Sequence, residues 1–211
     1  MKIIEQSHEI EFLTPNATKI IEKCARTCYA SESKICEGSD IEIVRKLVSR
    51  GHFAMVEMCD MIVRFVTDIG VSREFARHRL TTPVPPSEAE RSTRYVRFDC
   101  VEFIRPVWFK ASDVNKMETR SSVWNWCCLQ SERAYGEMLR YRATPQEARQ
   151  CLNLSVATEF CYKTNLREWH EILRLRTDKA AHPQMRAMMI PLLNEMKQRV
   201  PVVFDDIEVK E

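Results

Sequence analysis

The segment SREFARHRLTTPVPPSEAERSTRY, from Ser72 to Tyr95, is the part of the sequence around which the rest is organised. Five arginines and a histidine flank a loop with three prolines, and three glutamates lie among them. Charged side chains at this density are rarely buried, whereas guanidinium groups bind phosphates and carboxylates through paired hydrogen bonds. The segment therefore predicts a local site for an anionic ligand rather than part of a hydrophobic core.

The stretches on either side of this segment predict the secondary structure that supports it. Residues 59–68 (CDMIVRFVTD) alternate apolar side chains between two faces, which predicts a strand. Ser72 is placed to cap a short helix through Arg79, and the prolines that follow would end it. Further strands are expected at 94–98, 101–108 and 154–162, and helices at 116–142, after Asn165 and from Pro183.

The composition predicts one soluble domain with balanced charge. The chain has 211 residues, 45% of them hydrophobic, which is enough apolar material for one sizeable core, so we expect a single domain over residues 1–211. Lysine and arginine total 32, and aspartate and glutamate total 30, which gives no general reason to expect a nucleic-acid or membrane partner. No window approaches the roughly twenty apolar residues of a membrane span, so we expect a cytoplasmic protein.

The nine cysteines are scattered, and none has the C-x-x-C spacing that is typical of zinc sites. An odd number of cysteines without a regular pattern fits reduced thiols better than a secreted disulfide framework. We therefore expect buried structural thiols, no metal site and no cysteine nucleophile.

Three groups of residues are candidates for binding the anion. On a helix, the side chains of Arg77-His78-Arg79 spread over about 200° of the surface, which fits a helix between two ligands or subunits and equally a solvated basic surface. Ser92-Thr93-Arg94-Tyr95 is more specific, because backbone amides beside the serine and the arginine guanidinium would clamp a phosphate. Arg149 and Arg176 are further candidates, and each alone is more often part of a surface ion pair.

The order of these residues along the chain resembles that of the flavin-dependent thymidylate synthases. The matching positions cover most of the sequence, and their spacing carries more weight than any single motif: His52, Glu57, Arg77-His78-Arg79, Glu90-x-Ser92-x-Arg94-Tyr95, Arg149, Asn165-x-Arg167 and Leu175-Arg176. The segment RTDKAAHPQMR, from Arg176 to Arg186, is similar to a family segment that contains arginine, alanine and glutamine. By this resemblance the chain is identified as a divergent member of the family.

The resemblance implies the fold, the assembly and the reaction. It implies a mixed α/β fold of the α+β type, with a central, mostly antiparallel sheet flanked by helices, and a homotetramer with active sites between subunits. Members of the family bind FAD tightly, reduce it with NADPH and transfer a one-carbon unit from methylenetetrahydrofolate to C5 of dUMP, which yields dTMP. No enzyme cysteine attacks the pyrimidine, and neither nucleic acid nor a membrane is a partner.

The resemblance also implies a role for each matching residue. The flavin would be contacted by His52, Glu57, Arg77, His78, Arg79, Asn165 and Arg167. The nucleotide would be held by Glu74, Glu90, Ser92, Arg94, Arg149 and Arg176. The residues nearest the chemistry, where positive charge stabilises a reduced flavin and polarises the pyrimidine, would be Arg77, His78, Arg79, Ser92 and Arg176.

The sequence departs from the family pattern in the loop that should cover the nucleotide. Residues 80–91 form a longer spacer between Arg79 and Ser92 than is usual, Met58 stands where many members have a histidine, and His182-Pro183 replaces a glutamine. A divergent member that methylates or hydroxymethylates another pyrimidine nucleotide is therefore an alternative. An RNA-binding module built on the arginine-rich segment is an alternative of a different class, which the balanced charge disfavours.

Overall fold

The computed structural model describes residues 1–78, 86–110, 112 and 119–209. The strands in these ranges are β1 (Lys2–Ile4), β2 (Ser7–Leu13), β3 (Asp60–Asp68), β4 (Ser87–Glu90), β5 (Glu102–Ile104) and β6 (Ala157–Asn165). The α-helices are α1 (Ala17–Cys28), α2 (Ser39–Ser49), α3 (Ile69–Phe75), α4 (Arg120–Arg140), α5 (Pro145–Ala148), α6 (Leu166–Arg176) and α7 (Pro183–Arg199). Short 3₁₀ helices lie at Glu32–Lys34, Phe53–Met58 and Arg149–Cys151.

The strands form two sheets. A four-stranded sheet has the order β2, β3, β6, β4, and β1 pairs with β5 in parallel in a second, two-stranded sheet. The prediction of a mixed α/β fold with an antiparallel sheet flanked by helices is confirmed. Along β3, the alternation of Met61, Val63 and Phe65 also follows the prediction, because these three side chains are buried and those between them are half-buried.

The chain divides into two compact units. The first unit contains Met1–Ser7, Phe65–Arg77 and Glu88–Cys161. The second unit contains His8–Arg64, His78–Ser87 and Tyr162–Glu211. The expectation of a single domain over the whole chain stays a prediction.

Aromatic side chains form the core of the first unit. The rings of Phe65, Phe75 and Phe160 are buried, with centroids 5.2 Å, 5.1 Å and 5.5 Å apart in the three pairs. Burying a side chain of this size contributes about 1.5 to 3 kcal/mol. Phe75 is the last residue of α3, so this burial anchors the C-terminal end of the helix in the core of the first unit.

Helices α6 and α7 carry much of the core of the second unit. Trp169 of α6 is fully buried, and its indole N–H donates to the carbonyl oxygen of Met61 at 3.1 Å. The apolar face of α7 is buried at Met185, Met188, Met189, Leu192, Leu193 and Met196. Two predictions about these helices are confirmed, since the Asn165 side chain caps α6 and Pro183 is the first residue of α7.

The helix of the arginine-rich segment starts earlier than predicted. It begins directly after β3, because the Asp68 carboxylate accepts a hydrogen bond from the Val71 N–H at 2.9 Å. Ser72, the predicted cap, is buried within α3, and its hydroxyl donates to Glu90 at 2.6 Å. A carboxylate is favoured at a helix N-terminus, and the glutamate gives the serine another partner. The prediction that Ser72 caps this helix was therefore wrong.

The same helix also ends earlier than predicted, at Phe75. Arg77 and His78 therefore lie after α3 and do not spread over a helix surface, and Arg79 lies outside the described residues. The strand predicted at 94–98 was also wrong, because residues 93–95 form a turn and the strand of this segment is β4. The remaining predicted elements exist with shifted ends. Of the long spacer 80–91, residues 86–91 are described.

Candidate functional site

The two units hold different predicted site residues. The first unit contains Glu74, Arg77, Glu90, Ser92, Arg94 and Arg149. The second unit contains, among the described residues, His52, Glu57, His78, Asn165, Arg167 and Arg176. The nucleotide contacts implied by the resemblance thus belong to the first unit, apart from Arg176. The described flavin contacts belong to the second unit, apart from Arg77.

A polar cleft of about 310 Å³ lies on the first unit. We call it the Arg149 cleft, and the residues that line it include Ile69, Arg73, Thr93, Arg149, Leu152 and Asn153. Arg149 donates a hydrogen bond from Nη1 to the Thr93 hydroxyl at 3.2 Å. Within the described ranges, neither Arg73 nor Arg149 is paired with a carboxylate. The charge of both guanidinium groups is therefore available to a ligand.

The turn that presents Arg149 is fixed by the sequence just before it. Thr144 caps α5, and the Glu147 carboxylate accepts hydrogen bonds from both the N–H and the hydroxyl of Thr144 at 2.7 Å. Pro145 occupies the first helical position, and Ala148 is fully buried. This capping box, predicted by its Thr-Pro-x-Glu pattern, starts the short helix whose last residue, Ala148, directly precedes Arg149.

Arg73 is a site candidate that the sequence reasoning missed. The predicted helix start at Ser72 put this residue in the first turn, and the resemblance gave it no role. With α3 beginning at Ile69, Ile69 and Arg73 are four positions apart and share one face of the helix, and both line the Arg149 cleft. The acidic cap at the end of β3 was the sequence signal that would have placed Arg73 there.

Three other predicted nucleotide contacts are held by internal hydrogen bonds. Glu90 accepts hydrogen bonds at one carboxylate oxygen from the hydroxyls of Ser72, at 2.6 Å, and Thr158, at 2.8 Å. These bonds attach β4 to α3 and β6. The Ser92 hydroxyl accepts a hydrogen bond from the Arg94 N–H at 3.2 Å, which stabilises the turn at 93–95.

The other two predicted residues of the first unit lie around the end of α3. Glu74 is half-buried in its last turn, and Arg77 is exposed after it. The Arg77 N–H donates to the Glu74 carbonyl oxygen at 3.3 Å, so a turn closes the helix at this point. The positions of Glu74 and Arg77 thus follow from the end of α3 at Phe75.

In the second unit, His78 and Arg176 are hydrogen-bonded to each other. Arg176 Nε donates to His78 Nε2 at 2.7 Å, and the Tyr162 hydroxyl donates to the His78 carbonyl oxygen. Burial and the neighbouring Arg176 guanidinium lower the pKa of His78 to about 4, although the Glu171 carboxylate opposes the shift. At neutral pH the imidazole is therefore uncharged, with its proton on Nδ1, and the positive charge of the pair lies on Arg176.

The start of α6 positions three further predicted flavin contacts. Asn165 accepts a hydrogen bond from the Glu168 N–H at 2.9 Å, so its side-chain oxygen caps the helix. Arg167, in the first turn, forms an ion pair with Glu57 of the 3₁₀ helix Phe53–Met58. His52 is exposed and directly precedes that 3₁₀ helix.

A second cleft, of about 420 Å³, lies beside α6. We call it the α6 cleft, and it is lined by Phe53, Arg167, Glu168, His170, Glu171 and Arg174. All but the phenylalanine come from α6. The α6 cleft therefore combines the aromatic ring of Phe53 with the charged and polar side chains of one face of α6.

Cys59 and Cys128 are buried, as predicted, but the expectation of buried thiols was wrong for the other seven cysteines, of which four are exposed and three are half-buried. Burial raises the pKa of Cys59 and of Cys128 to about 11, so both thiols are protonated at neutral pH. Across the described residues, no cluster of histidine, cysteine, aspartate and glutamate side chains has the makings of a metal site. The same part of the chain contains no helix whose length and apolar character would let it cross a membrane.

Comparisons with known proteins place this geometry in context. The model of the family described as thymidylate synthase complementing protein matches residues 10–202. The flavin-dependent thymidylate synthase of Corynebacterium efficiens is 25% identical over 209 residues, covering 92% of this chain and 81% of that protein. The enzyme of the same name from Mycobacterium tuberculosis strain H37Rv is 24% identical over 204 residues, covering 90% of this chain and 79% of that one.

A solved structure is similar over nearly the whole chain. It is the crystal structure of a UMP/dUMP methylase, PolB from Streptomyces cacaoi, bound with 5-Br dUMP. The TM-score is 0.80 with 20% sequence identity, and the match covers 97% of this chain and 96% of that chain. At this identity the likeness establishes a shared fold.

Proposed function

The chain belongs to the thymidylate synthase complementing protein family, and we propose on that premise that it is a flavin-dependent methyltransferase that converts dUMP to dTMP. The observation that carries the proposal is the Arg149 cleft, which brings two guanidinium groups without carboxylate partners in the described residues into one polar surface. A nucleoside monophosphate supplies the dianion that such a pair of groups binds.

We assign the nucleotide phosphate to Arg149 and Arg73. Thr93 orients Arg149 through a neutral hydrogen bond, which fixes the guanidinium without cancelling its charge. Ser92 and Arg94 are on either side of Thr93 in the sequence, so the turn at 93–95 supplies further donors to the nucleotide. The hydrogen bonds of Glu90 hold β4, which leads into this turn.

UMP is the second candidate substrate. The PolB protein, which shares its fold with this chain, is a methylase of both UMP and dUMP. The two nucleotides differ only in the ribose 2′-hydroxyl, and the spacer that should cover the nucleotide is longer here than is usual in the family. Selection between them therefore depends on the residues around the sugar.

The second unit has a donor set that fits FAD. Arg176 is a guanidinium donor for phosphate or carbonyl oxygens. Arg167 is paired with Glu57, and Phe53 gives the α6 cleft an aromatic face for a planar ring. Glu57 and Asn165 lie at the start of α6 and would complete the site. His52, the other flavin contact implied by the resemblance, lines a separate cleft with residues of α1 and α2. When bound, FAD supplies hydride chemistry, with NADPH as the proposed reductant and methylenetetrahydrofolate as the proposed one-carbon donor.

The His78–Arg176 pair supplies a fixed positive charge in the second unit. Because His78 is neutral, Arg176 keeps its full charge while its Nε is held by the imidazole. A preorganised cation stabilises negative charge that develops on a carbonyl oxygen during reaction. The protonated thiols of Cys59 and Cys128 support a reaction without a cysteine nucleophile. We further propose a cytoplasmic homotetramer with active sites between subunits, as the family resemblance implies.

Turnover with isotope-labelled substrates tests the proposed function. Purified protein with FAD, NADPH and methylenetetrahydrofolate should release tritium from C5-tritiated dUMP and form dTMP, identified by mass spectrometry. Parallel reactions with UMP and dCMP identify another substrate, and product mass separates methylation from hydroxymethylation. A protein that takes up no flavin and releases no tritium from any nucleotide would overturn the proposal, and tight RNA binding by such a protein would favour the RNA-binding alternative.

A further inference from the structure

The charged side chains that line the α6 cleft are paired within the second unit, with one exception. Arg174 forms an ion pair with Glu171 at 2.6 Å. Arg167 is paired with a glutamate of the neighbouring 3₁₀ helix, and His170 Nε2 is bonded to both carboxylate oxygens of Asp206, at 2.9 Å and 3.1 Å. These contacts give both arginines and the histidine of the cleft partners inside the protein.

Glu168 is the exception. Its side chain is 1% exposed, and its Oε2 is buried without a hydrogen-bond partner among the residues the structure describes. Burial and the negative charge of Glu171 raise the pKa of Glu168, although Arg167 opposes the shift. A buried carboxylate oxygen without a donor is unfavourable, so such atoms mark places where a partner from outside the chain binds.

Helix capping does not account for the position of Glu168. It occupies the third position of α6 after the cap Asn165, where a capping-box glutamate would return to the N–H of the cap residue. In α5 the equivalent residue, Glu147, does accept that bond from Thr144. In α6 only the other half of the box forms, from the Glu168 N–H to Asn165, and Glu168 is among the residues that line the α6 cleft.

We propose that Glu168 is a ligand-binding residue, whose free oxygen accepts a hydrogen bond from an N–H group on a planar heterocycle of the flavin cofactor. Phe53 provides an apolar contact for the ring, and the paired cations leave the cleft without net attraction for a phosphate. FAD carries such N–H groups on both of its ring systems, the imide of isoalloxazine and the amine of adenine. The inference rests on the proposed function, because it requires that the protein binds FAD.

Flavin titration of purified, flavin-free protein tests this role. The variants are Glu168→Leu and the near-isosteric Glu168→Gln, and the matched control is Glu195→Gln, which changes a carboxylate of the second unit that lies outside the α6 cleft and is paired with His8 and Arg199. We expect Glu168→Leu to weaken FAD binding about tenfold or more, Glu168→Gln to weaken it less, and the control to change it little. Thermal unfolding of the flavin-free variants should show no loss of stability, because the substituted oxygen has no bond in the protein.

Three ligands distinguish the two ring systems. If Glu168 binds isoalloxazine, affinities for FAD and FMN fall together; if it binds adenine, affinities for FAD and ADP fall and that for FMN is unchanged. A wild-type protein that binds FAD while both Glu168 variants bind all three ligands as tightly would overturn this inference and leave the proposed function standing. Loss of stability in the flavin-free variants with unchanged affinity would show that Glu168 has only a structural role. A wild-type protein that binds no flavin would overturn both.

Discussion

The Arg149 cleft and the α6 cleft both contain arginines, and they differ in how those arginines are paired. In the α6 cleft, Arg167 and Arg174 each form an ion pair with a glutamate. In the Arg149 cleft, Arg149 is bonded to the hydroxyl of Thr93, and Arg73 has no carboxylate partner in the part of the chain that the structure describes. The number of cations in a cleft is therefore a poor guide to its ligand.

We propose that this pairing determines which ligand each cleft binds. A carboxylate partner cancels the charge of a guanidinium, whereas a hydroxyl partner orients it and leaves the charge available. The first arrangement suits an uncharged ring, and the second suits a phosphate. Substitutions that remove one arginine from each cleft therefore test the comparison directly.

Arg149→Ala should have the largest effect. Losing a hydrogen bond to a charged group costs about 1.5 to 3 kcal/mol, so dUMP affinity should fall roughly tenfold to a hundredfold. Calorimetric titration with dUMP measures this, and FAD affinity should stay near the wild-type value. Arg174→Ala is the matched control from the α6 cleft, and it should leave dUMP affinity unchanged. Equal losses of dUMP affinity in the two variants would break the comparison.

Arg73→Ala should weaken dUMP binding less. Arg73 is exposed, and an exposed charge contributes about 0.5 to 1 kcal/mol, which is roughly a twofold to fivefold change in affinity. The loss should shrink as salt rises, because exposed charges are screened. Arg140→Ala serves as the control, since Arg140 is exposed and paired with Glu137 on α4. If both variants bind dUMP like the wild type, Arg73 is not part of the anion site.

Local sequence patterns predicted the elements that depend on neighbouring residues. The alternation of β3, the Asn165 cap and the proline at the start of α7 were all predictable, because each is set within a few positions of the chain. The resemblance then identified the family, which the match over residues 10–202 confirms. Roles of single site residues remain predictions.

What the sequence could not predict depends on distant partners. Ser72 fits the local pattern of a helix cap, but its hydroxyl donates a hydrogen bond to Glu90, which is eighteen positions away. Because α3 begins and ends earlier than predicted, Arg73 lines the Arg149 cleft and Arg77 lies beyond the end of the helix. Glu168 Oε2 likewise has no hydrogen-bond donor among the described residues that surround it, and a local sequence pattern cannot predict this.

Removing Arg176 should change the titration of His78. The arginine cation is one of the two causes that hold the pKa of His78 at about 4, so Arg176→Ala should raise that pKa toward the ordinary value of 6.5. Proton NMR of the histidine ring signals measures the titration, and His78→Gln identifies the His78 signal by its loss. An unchanged midpoint in Arg176→Ala would show that the hydrogen-bonded pair does not form in solution.

The smallest expected effect is on stability at acidic pH. Because the pKa of His78 is about 4 in the folded protein and near 6.5 when unfolded, the unfolded chain takes up a proton between these values while the folded chain does not. The contribution of His78 to stability is therefore fully present above pH 6.5 and is lost as pH falls through 4. Urea unfolding at pH 7 and pH 5 should show a larger loss for the wild type than for His78→Gln, which has no proton to take up. His182→Gln is the control, because it also replaces a histidine with glutamine but leaves the His78–Arg176 pair in place. If His78→Gln loses as much stability as the wild type, proton uptake by His78 in the unfolded chain does not account for the loss.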